Sequence, residues 1–379
     1  MRLLHIVLLD QIRFSRTLFD LSEVDQKNLD YNILIVHNGL VEGPCKTNSF
    51  VKCSDGVHRL MSDSKHLIEK ILPESVKQKD AINKIKKRYK TLKIVPNYFG
   101  VKAFLKNEEI LGFDHIILTS HCGENYVREM IPDKYMDKVT YIHHGVAGLF
   151  LEQKRWAKYL NKWSKRINYI VADKRLYNLL KEYLKPKSLH LINGLPQFDH
   201  AINISKNKNK LKSTLLITMQ RSQSKEDDYR ISQLMPEIIE YFSEKFNKVI
   251  IKDKQNYFSR IKSNIEFNNN MNIFDDSLYD YLKASCILHI NYGTAFIESL
   301  LVNDRVFLFE PFHLNQLPQC KSIQMKNSVK GLKEIDLNKK ITKKDKEKFL
   351  ESELGAKGIS MFSKKAAVIL SRIIKETNL

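Results

Sequence analysis

Residues 275–311 read DDSLYDYLKASCILHINYGTAFIESLLVNDRVFLFEP. Ser277 to Ser285 predicts a short amphipathic helix with Leu278, Tyr281 and Leu282 on one side. Cys286 to Ile290 is an apolar run of strand length, and Asn291-Tyr292-Gly293-Thr294 is a turn. Ala295 to Leu301 predicts a second helix. After the Asn303-Asp304 turn, Val306 to Phe309 predicts a second strand. Strand, glycine turn, helix and strand make a βαβ unit of a parallel sheet. Ligands of such sheets collect where strands end and helices begin. Backbone N–H groups are unpaired there and the helix dipole is positive, which suits a phosphate. Gly293 lets the backbone approach a ligand. Thr294 is placed either to cap the helix or to bond a phosphate oxygen. Glu298, about one turn on, is either a ribose-hydroxyl acceptor or a solvated helix residue.

The rest of the chain supplies the frame for this unit. Its 379 residues have room for two domains, and a hydrophobic content of 43% is that of a globular protein. No run approaches the roughly 20 apolar residues that span a bilayer. The N-terminus, MRLLHIVLLDQIR, is interrupted by His5 and Asp10 and reads as a first buried strand, not a signal peptide. Cys45, Cys53, Cys122, Cys286 and Cys320 lack metal-ligand spacing and suit reduced cytosolic thiols. A net charge of +20 calls for a polyanionic partner: nucleic acid, an anionic membrane face or a phosphorylated substrate. No zinc-finger, KH, RRM or P-loop signature is present, so a specific nucleic-acid partner is not expected.

Strands are predicted at Leu3 to Leu9, Tyr31 to His37, Ile94 to Pro96, His115 to Thr119 and Val139 to Ile142, with helices over Met61 to Leu92 and Val101 to Leu111. This alternation predicts a Rossmann-like half. Leu151 to Arg166 interleaves Trp156, Tyr159 and Trp163 with cations. Spacings of 3 and 4 favour packing into a core over lying on an anionic membrane. A second strand–helix series is expected from Tyr169 onward, with strands at Ser188 to Ile192, Thr214 to Thr218 and Lys248 to Ile251. Its helix is expected at Met235 to Phe246, with loops at Asn203 to Lys212 and Gln220 to Asp228. Ser363 to Lys375 predicts a terminal helix with Ala366, Ala367 and Leu370 on its apolar face.

Several strand ends carry residues able to do chemistry. His143-His144-Gly145 follows an apolar strand, and an imidazole there can take a proton from an alcohol at neutral pH. Adjacent histidines point in different directions, so one faces the cleft and the other packs. His121 and Glu124 end another strand. Gly194-Leu195-Pro196 is a rigid turn that passes either a ligand or simply the next helix. Lys252 is placed to meet a phosphate as a point charge. No acidic pair stands where a nucleotide-bound divalent ion would be expected.

The order of these elements carries more information than any one of them. HHG near 143, GLPQFD near 194, a strand ending in lysine near 252, then DSLYDYL and NYGTAFIE together resemble the CDP-glycerol glycerophosphotransferase family, the polymerases and primases of teichoic-acid-like polymers. The resemblance spans roughly residues 110–312. It departs at Val146-Ala147, where the family has Thr-Pro, and at Gly293-Thr294, where it has paired serines. Lys252-Asp253-Lys254 stands near the place of a second family histidine. The resemblance implies an α/β GT-B fold: two Rossmann-like parallel-sheet domains facing a central cleft. Residues 1–166 would form the acceptor domain, with the terminal helix 360–379 crossing back onto it, and 167–359 the nucleotide-donor domain.

It further implies transfer of a glycerol-phosphate or glycosyl group from a nucleotide-activated donor, expected to be a cytidine nucleotide, to the hydroxyl of a glycan or lipid-linked acceptor. The setting would be cell-surface polymer synthesis (capsule, teichoic-acid-like polymer or lipooligosaccharide). His144 or His143 would be the base. Gly293 and Thr294 would hold the diphosphate, helped by Lys252 and Arg221, and Glu298 the ribose, with Gly194 and Pro196 beside the donor. His121 and Glu124 would lie on the acceptor side. Metal-independent transfer is expected, with magnesium left open. The expected location is the cytoplasm, at the inner face of an anionic membrane. The alternative on the same fold is a glycosyltransferase using a UDP-, GDP- or CMP-sugar. A more distant one is a non-catalytic basic protein that binds nucleic acid or membrane.

Overall fold

The computed structural model describes residues 2–8, 30–36, 90–95, 112–119, 131–143, 164–183, 186–206, 211–220, 225–252, 271–274, 278–355 and 362–377, with positions 83, 101, 104–106 and 145. Two all-parallel sheets carry the chain. The first is built from β1 (Arg2–Leu8), β2 (Asp30–Val36), β3 (Lys90–Val95), β4 (His115–Leu118), β5 (Val139–Ile142), β6 (Asn168–Val171) and β7 (Ser188–Leu191), in the order 3-2-1-4-5-6-7. The second is built from β8 (Leu211–Met219), β9 (Lys248–Lys252), β10 (Met271–Phe274), β11 (Ala284–Ile290), β12 (Val306–Phe309) and β13 (Gln324–Lys326), in the order 10-9-8-11-12-13. Each is a doubly wound order that reverses beside its first strand. The helices are α1 (Lys174–Tyr183), α2 (Phe198–Ser205), α3 (Lys225–Ser243), α4 (Thr294–Val302), α5 (Val329–Lys333), α6 (Lys343–Leu354) and α7 (Phe362–Thr377).

Strands such as Val139–Ile142 and Val306–Phe309 are buried at every position, as expected where helices cover both faces of a parallel sheet. Alternate residues serve alternate faces. In the first sheet, Leu4, Ile6, Leu34 and Leu118 pack with Leu176 and Leu180 of α1. Leu3, Val7, Ile33, Ile117 and Ile170 pack instead with Ala366, Ala367, Leu370, Ile373 and Ile374 of α7. In the second sheet, Leu216, Ile287 and Leu308 meet α2, α4 and α6, and Leu215, Ile217 and Leu288 meet α3.

Two features differ from the sequence reading. The strands at 168–171 and 188–191 pair onto β5 and each other, so they belong to the first sheet. The chain therefore leaves that sheet after Leu191, not near residue 167. A short buried strand has the same apolar pattern in either sheet, and only pairing assigns it. The segment expected as a helix at Ser277 to Ser285 is one 3-10 turn, Leu278–Asp280, followed by a strand that already begins at Ala284.

Smaller differences concern bounds. α3 begins at Lys225, taking in the last four residues of the loop expected at Gln220 to Asp228, and α2 runs to Ser205. α6 occupies a lysine-rich stretch for which no helix is predicted from the sequence. Lys90 to Leu92 belongs to β3, not to the charged helix before it. That helix (61–89, apart from position 83) and the aromatic segment 151–163 lie outside the described residues.

Candidate functional site

In the second half the strand order reverses between β8 and β11, and crevices at such switch points take ligands. The two strand ends there are tied together. Gln220 N donates to Ile290 O at 2.9 Å, Asn291 Nδ2 to Gln220 O at 2.9 Å, and Asn291 N to Phe309 O at 2.8 Å. Asn291 has φ 63, in the left-handed region that Asn tolerates better than most residues. The chain thus turns sharply out of β11. Gly293 is extended, so its glycine answers a need for space: a methyl group there would lie 2.9 Å from Gln220 Cγ. Gly293 is itself the N-cap of α4 and supplies no side-chain hydrogen bond to the helix. Thr294 is therefore the first helical residue, not the cap. The amides opening α4 lie at the switch point, and the N-cap glycine gives them no side-chain acceptor.

Tyr292, between these residues, is anchored twice. Its N–H donates to Glu310 Oε2 at 2.8 Å, and the same carboxylate accepts from His313 N at 3.3 Å. Its hydroxyl donates to Glu353 Oε2 at 2.8 Å. Burial first, and then the Glu353 charge, push the phenol well above its ordinary range, so it stays a donor. Glu298 is also buried, and one carboxylate oxygen accepts from Tyr279 OH at 2.7 Å. The ring of Tyr279 stands edge-on to His200, with centroids 4.5 Å apart. Lys252 ends β9, paired in register with Thr218 near the end of β8, and is 9% exposed.

On the first half, β5 ends at Ile142 and leads into His143, which is buried. Its Nδ1 lies 2.5 Å from Gly145 O. A carbonyl only accepts, so Nδ1 carries the proton and the basic lone pair of the neutral ring is on Nε2. A methyl group on Gly145 would lie 3.4 Å from Thr294 Oγ1 and 4.0 Å from His143 Cε1. The histidine turn of one half thus stands within one methyl group's reach of the helix-opening turn of the other.

The structure brings His143, Gly145, Gly293 and Thr294 together, with Glu298 one turn further along α4. His144, His121, Glu124 and Arg221 lie outside the described residues. Gly194 and Pro196, expected beside the donor, lie in the turn that leads into α2. Gly194 has φ 157, and a methyl group there would fall 2.3 Å from the Phe362 ring. Three residues after Pro196, Asp199 Oδ1 accepts from Phe362 N at 2.8 Å. This turn seats the start of α7, with the Phe362 ring against Gly194.

Three other buried histidines are structural. His5 bridges Tyr31 and Thr119, His115 bonds Thr140, and His289 bridges Thr218 and Ser299. Sequence reasoning missed Tyr279, Glu310 and Glu353. Glu310 had one signal, a carboxylate at a strand end just before Pro311. Among the described residues no three His, Cys, Asp or Glu side chains cluster as a metal site requires, and no helix is long and apolar enough to cross a membrane.

Neither a protein-family model nor a curated protein matches the chain. Solved structures do. UDP-GlcNAc 2-epimerase from Neisseria meningitidis bound to UDP-GlcNAc superposes with a TM-score of 0.56 at 13% identity, over 98% of this chain and 100% of that one. UGT89C1 from Arabidopsis thaliana complexed with UDP gives 0.52 at 10% identity, over 100% of both chains. UDP-GlcNAc 2-epimerase from Methanocaldococcus jannaschii gives 0.50 at 14% identity, over 98% of this chain and 100% of that one. The fold is GT-B: two Rossmann-like α/β halves built on parallel sheets.

Proposed function

We propose that the protein is a GT-B glycosyltransferase that uses a nucleoside diphosphate sugar. The observation that carries this reading is the closeness of Gly145 to Thr294, whose Oγ1 would lie 3.4 Å from a methyl group added at Gly145, which sets a histidine turn against the start of α4. The α4 amides and Thr294 Oγ1 receive the donor diphosphate, with Lys252 as a supporting charge. Glu298, oriented by Tyr279, accepts from ribose hydroxyls. His143 Nε2, or the imidazole of His144, takes the acceptor hydroxyl proton. The acceptor oxygen then bonds to the sugar C1 as the bond from C1 to the β-phosphate oxygen breaks, and the nucleoside diphosphate leaves. The similarity to structures solved with UDP or UDP-GlcNAc supports a nucleotide-sugar donor.

Transfer of glycerol phosphate from CDP-glycerol is the second reading, favoured by the HHG and DSLYDYL–NYGTAFIE order. No family model supports it. In either case the acceptor is a glycan or lipid-linked hydroxyl, transfer needs no metal, and the +20 charge draws the cytoplasmic enzyme to an anionic membrane face.

Thermal stabilisation by UDP, GDP, CDP and CMP, with and without magnesium, separates these readings. A UDP- or GDP-selective shift, followed by turnover of the matching sugar, supports the first. A cytidine-selective shift with CDP-glycerol turnover moves the assignment to the second. No shift from any nucleotide in folded protein rejects both. Conversion of UDP-GlcNAc without an acceptor would make the protein an isomerase instead.

A further inference from the structure

The turn that opens α4 is held from both halves of the molecule, and the two anchors differ in kind. Glu310, which grips the Tyr292 amide, belongs to the same sheet as the turn. Glu353, which grips the Tyr292 hydroxyl, has a second obligation. Its other oxygen accepts from Arg175 Nη2 at 2.7 Å. Arg175 sits in the first turn of α1, and α1 packs in the core of the first half. The same guanidinium nitrogen donates to Gln316 O at 2.8 Å, in the segment after β12. Asp173 Oδ1 accepts from Leu176 N at 2.8 Å and so fixes the helix start from which Arg175 projects.

We infer that Arg175 is a positioning residue for the donor turn, acting from the opposite half through Glu353 on Tyr292. This rests on the reading of the 291–294 turn as the diphosphate site. The Glu353 side chain is 4% exposed, and a carboxylate so buried follows its cationic partner, because an unpaired buried charge is costly. The Tyr292 ring lies edge-on between Phe296 and Phe349, with centroids 5.9 and 6.4 Å away. Packed rings leave little room for the ring to swing, so a displaced hydroxyl carries the backbone with it. The next residue is Gly293, whose position sets the α4 amides. The turn is therefore fully formed only when the first half is docked. Donor affinity and the arrangement of the halves are two readings of one equilibrium.

The test uses the full-length protein with Arg175→Met, Tyr292→Phe and the double variant. UDP affinity is measured by calorimetry, and amide exchange by mass spectrometry without nucleotide. Each single change is expected to weaken UDP about fivefold, with the double variant no weaker than the worse single one, as residues in one network are non-additive. Exchange at residues 291–296 is expected to quicken in both singles while that of β8 stays unchanged, and Arg175→Lys should restore most of the protection. Multiplying losses in the double variant, or wild-type exchange at the turn in Arg175→Met, would overturn the inference. If wild-type protein binds no nucleoside diphosphate, the donor reading falls, and the exchange comparison alone judges the link by the same criterion. Should Arg175→Met fail to fold, Arg175→Met/Glu353→Gln removes the stranded charge and takes its place.

Discussion

His143 shows how much one hydrogen bond decides. Its Nδ1 proton is committed to the Gly145 carbonyl, so any proton it accepts goes to Nε2. Replacing the base of the proposed transfer by alanine should reduce turnover roughly 10²–10⁴-fold with little change in melting temperature. Full turnover in both folded His143→Ala and His144→Ala would remove histidine from the mechanism. Glu298 and Tyr279 make a second test. Tyr279→Phe frees Glu298 from its orienting donor, and Glu298→Ala removes the ribose acceptor. Nucleotide affinity should fall about tenfold in the latter and less in the former. Equal affinities for ribose and 2′-deoxyribose nucleotides in the wild type would contradict the role.

The structural histidines act on stability instead. Burial lowers His5, His115 and His289 from 6.5 to about 3. Between those values the unfolded chain holds protons that the folded chain does not. Stability is therefore complete above about pH 6.5 and is lost as pH falls toward 3. At pH 5 each costs about 2 kcal/mol. The melting temperature should drop steeply from pH 7 to pH 5, and a flat profile would refute the burial. Strand-end histidine, glycine turn and Glu298 were legible in the sequence because each stands beside its own strand. Glu353 was not, since 61 residues separate it from Tyr292 and nothing local marks the pairing.

At the scale of elements, apolar runs between turn residues placed most strands within a few residues, and β5 and β12 match end to end, whereas β10 and β13 were not foreseen. The runs carry no label for their sheet, which is why β6 and β7 were assigned to the wrong half. α6 was hidden by its lysines, although Thr342 caps Asp345 N and Gly355, with φ 78, ends the helix, both signals present in the sequence. The true start of α3 was marked by Glu226, Asp227 and Asp228 in its first turn. Gly194 supplies the test at this scale. Gly194→Ala meets the Phe362 ring and a φ of 157, and should cost about 2–4 kcal/mol of stability. Nucleotide affinity of the folded fraction should be unchanged. An affinity loss without destabilisation would return this turn to the donor site.

At the scale of the molecule, the chain passes between the halves twice, and the two passages are stitched together. Asn193 Nδ2 donates to Gly355 O at 2.6 Å, and Phe362 N to Asp199 Oδ1 at 2.8 Å. The first half is not a continuous stretch of chain, because the face of its sheet formed by Leu3, Val7, Ile33 and Ile117 is covered by α7. During synthesis, that apolar face is built early and gains its α7 cover only when residues 362–377 have left the ribosome. The second half, from α2 to α6, is made later yet can gather its core sooner, lacking only Phe362 of α7. The nascent protein therefore completes its domains in the reverse of their order along the message. Until then the first sheet is a surface for chaperones to hold.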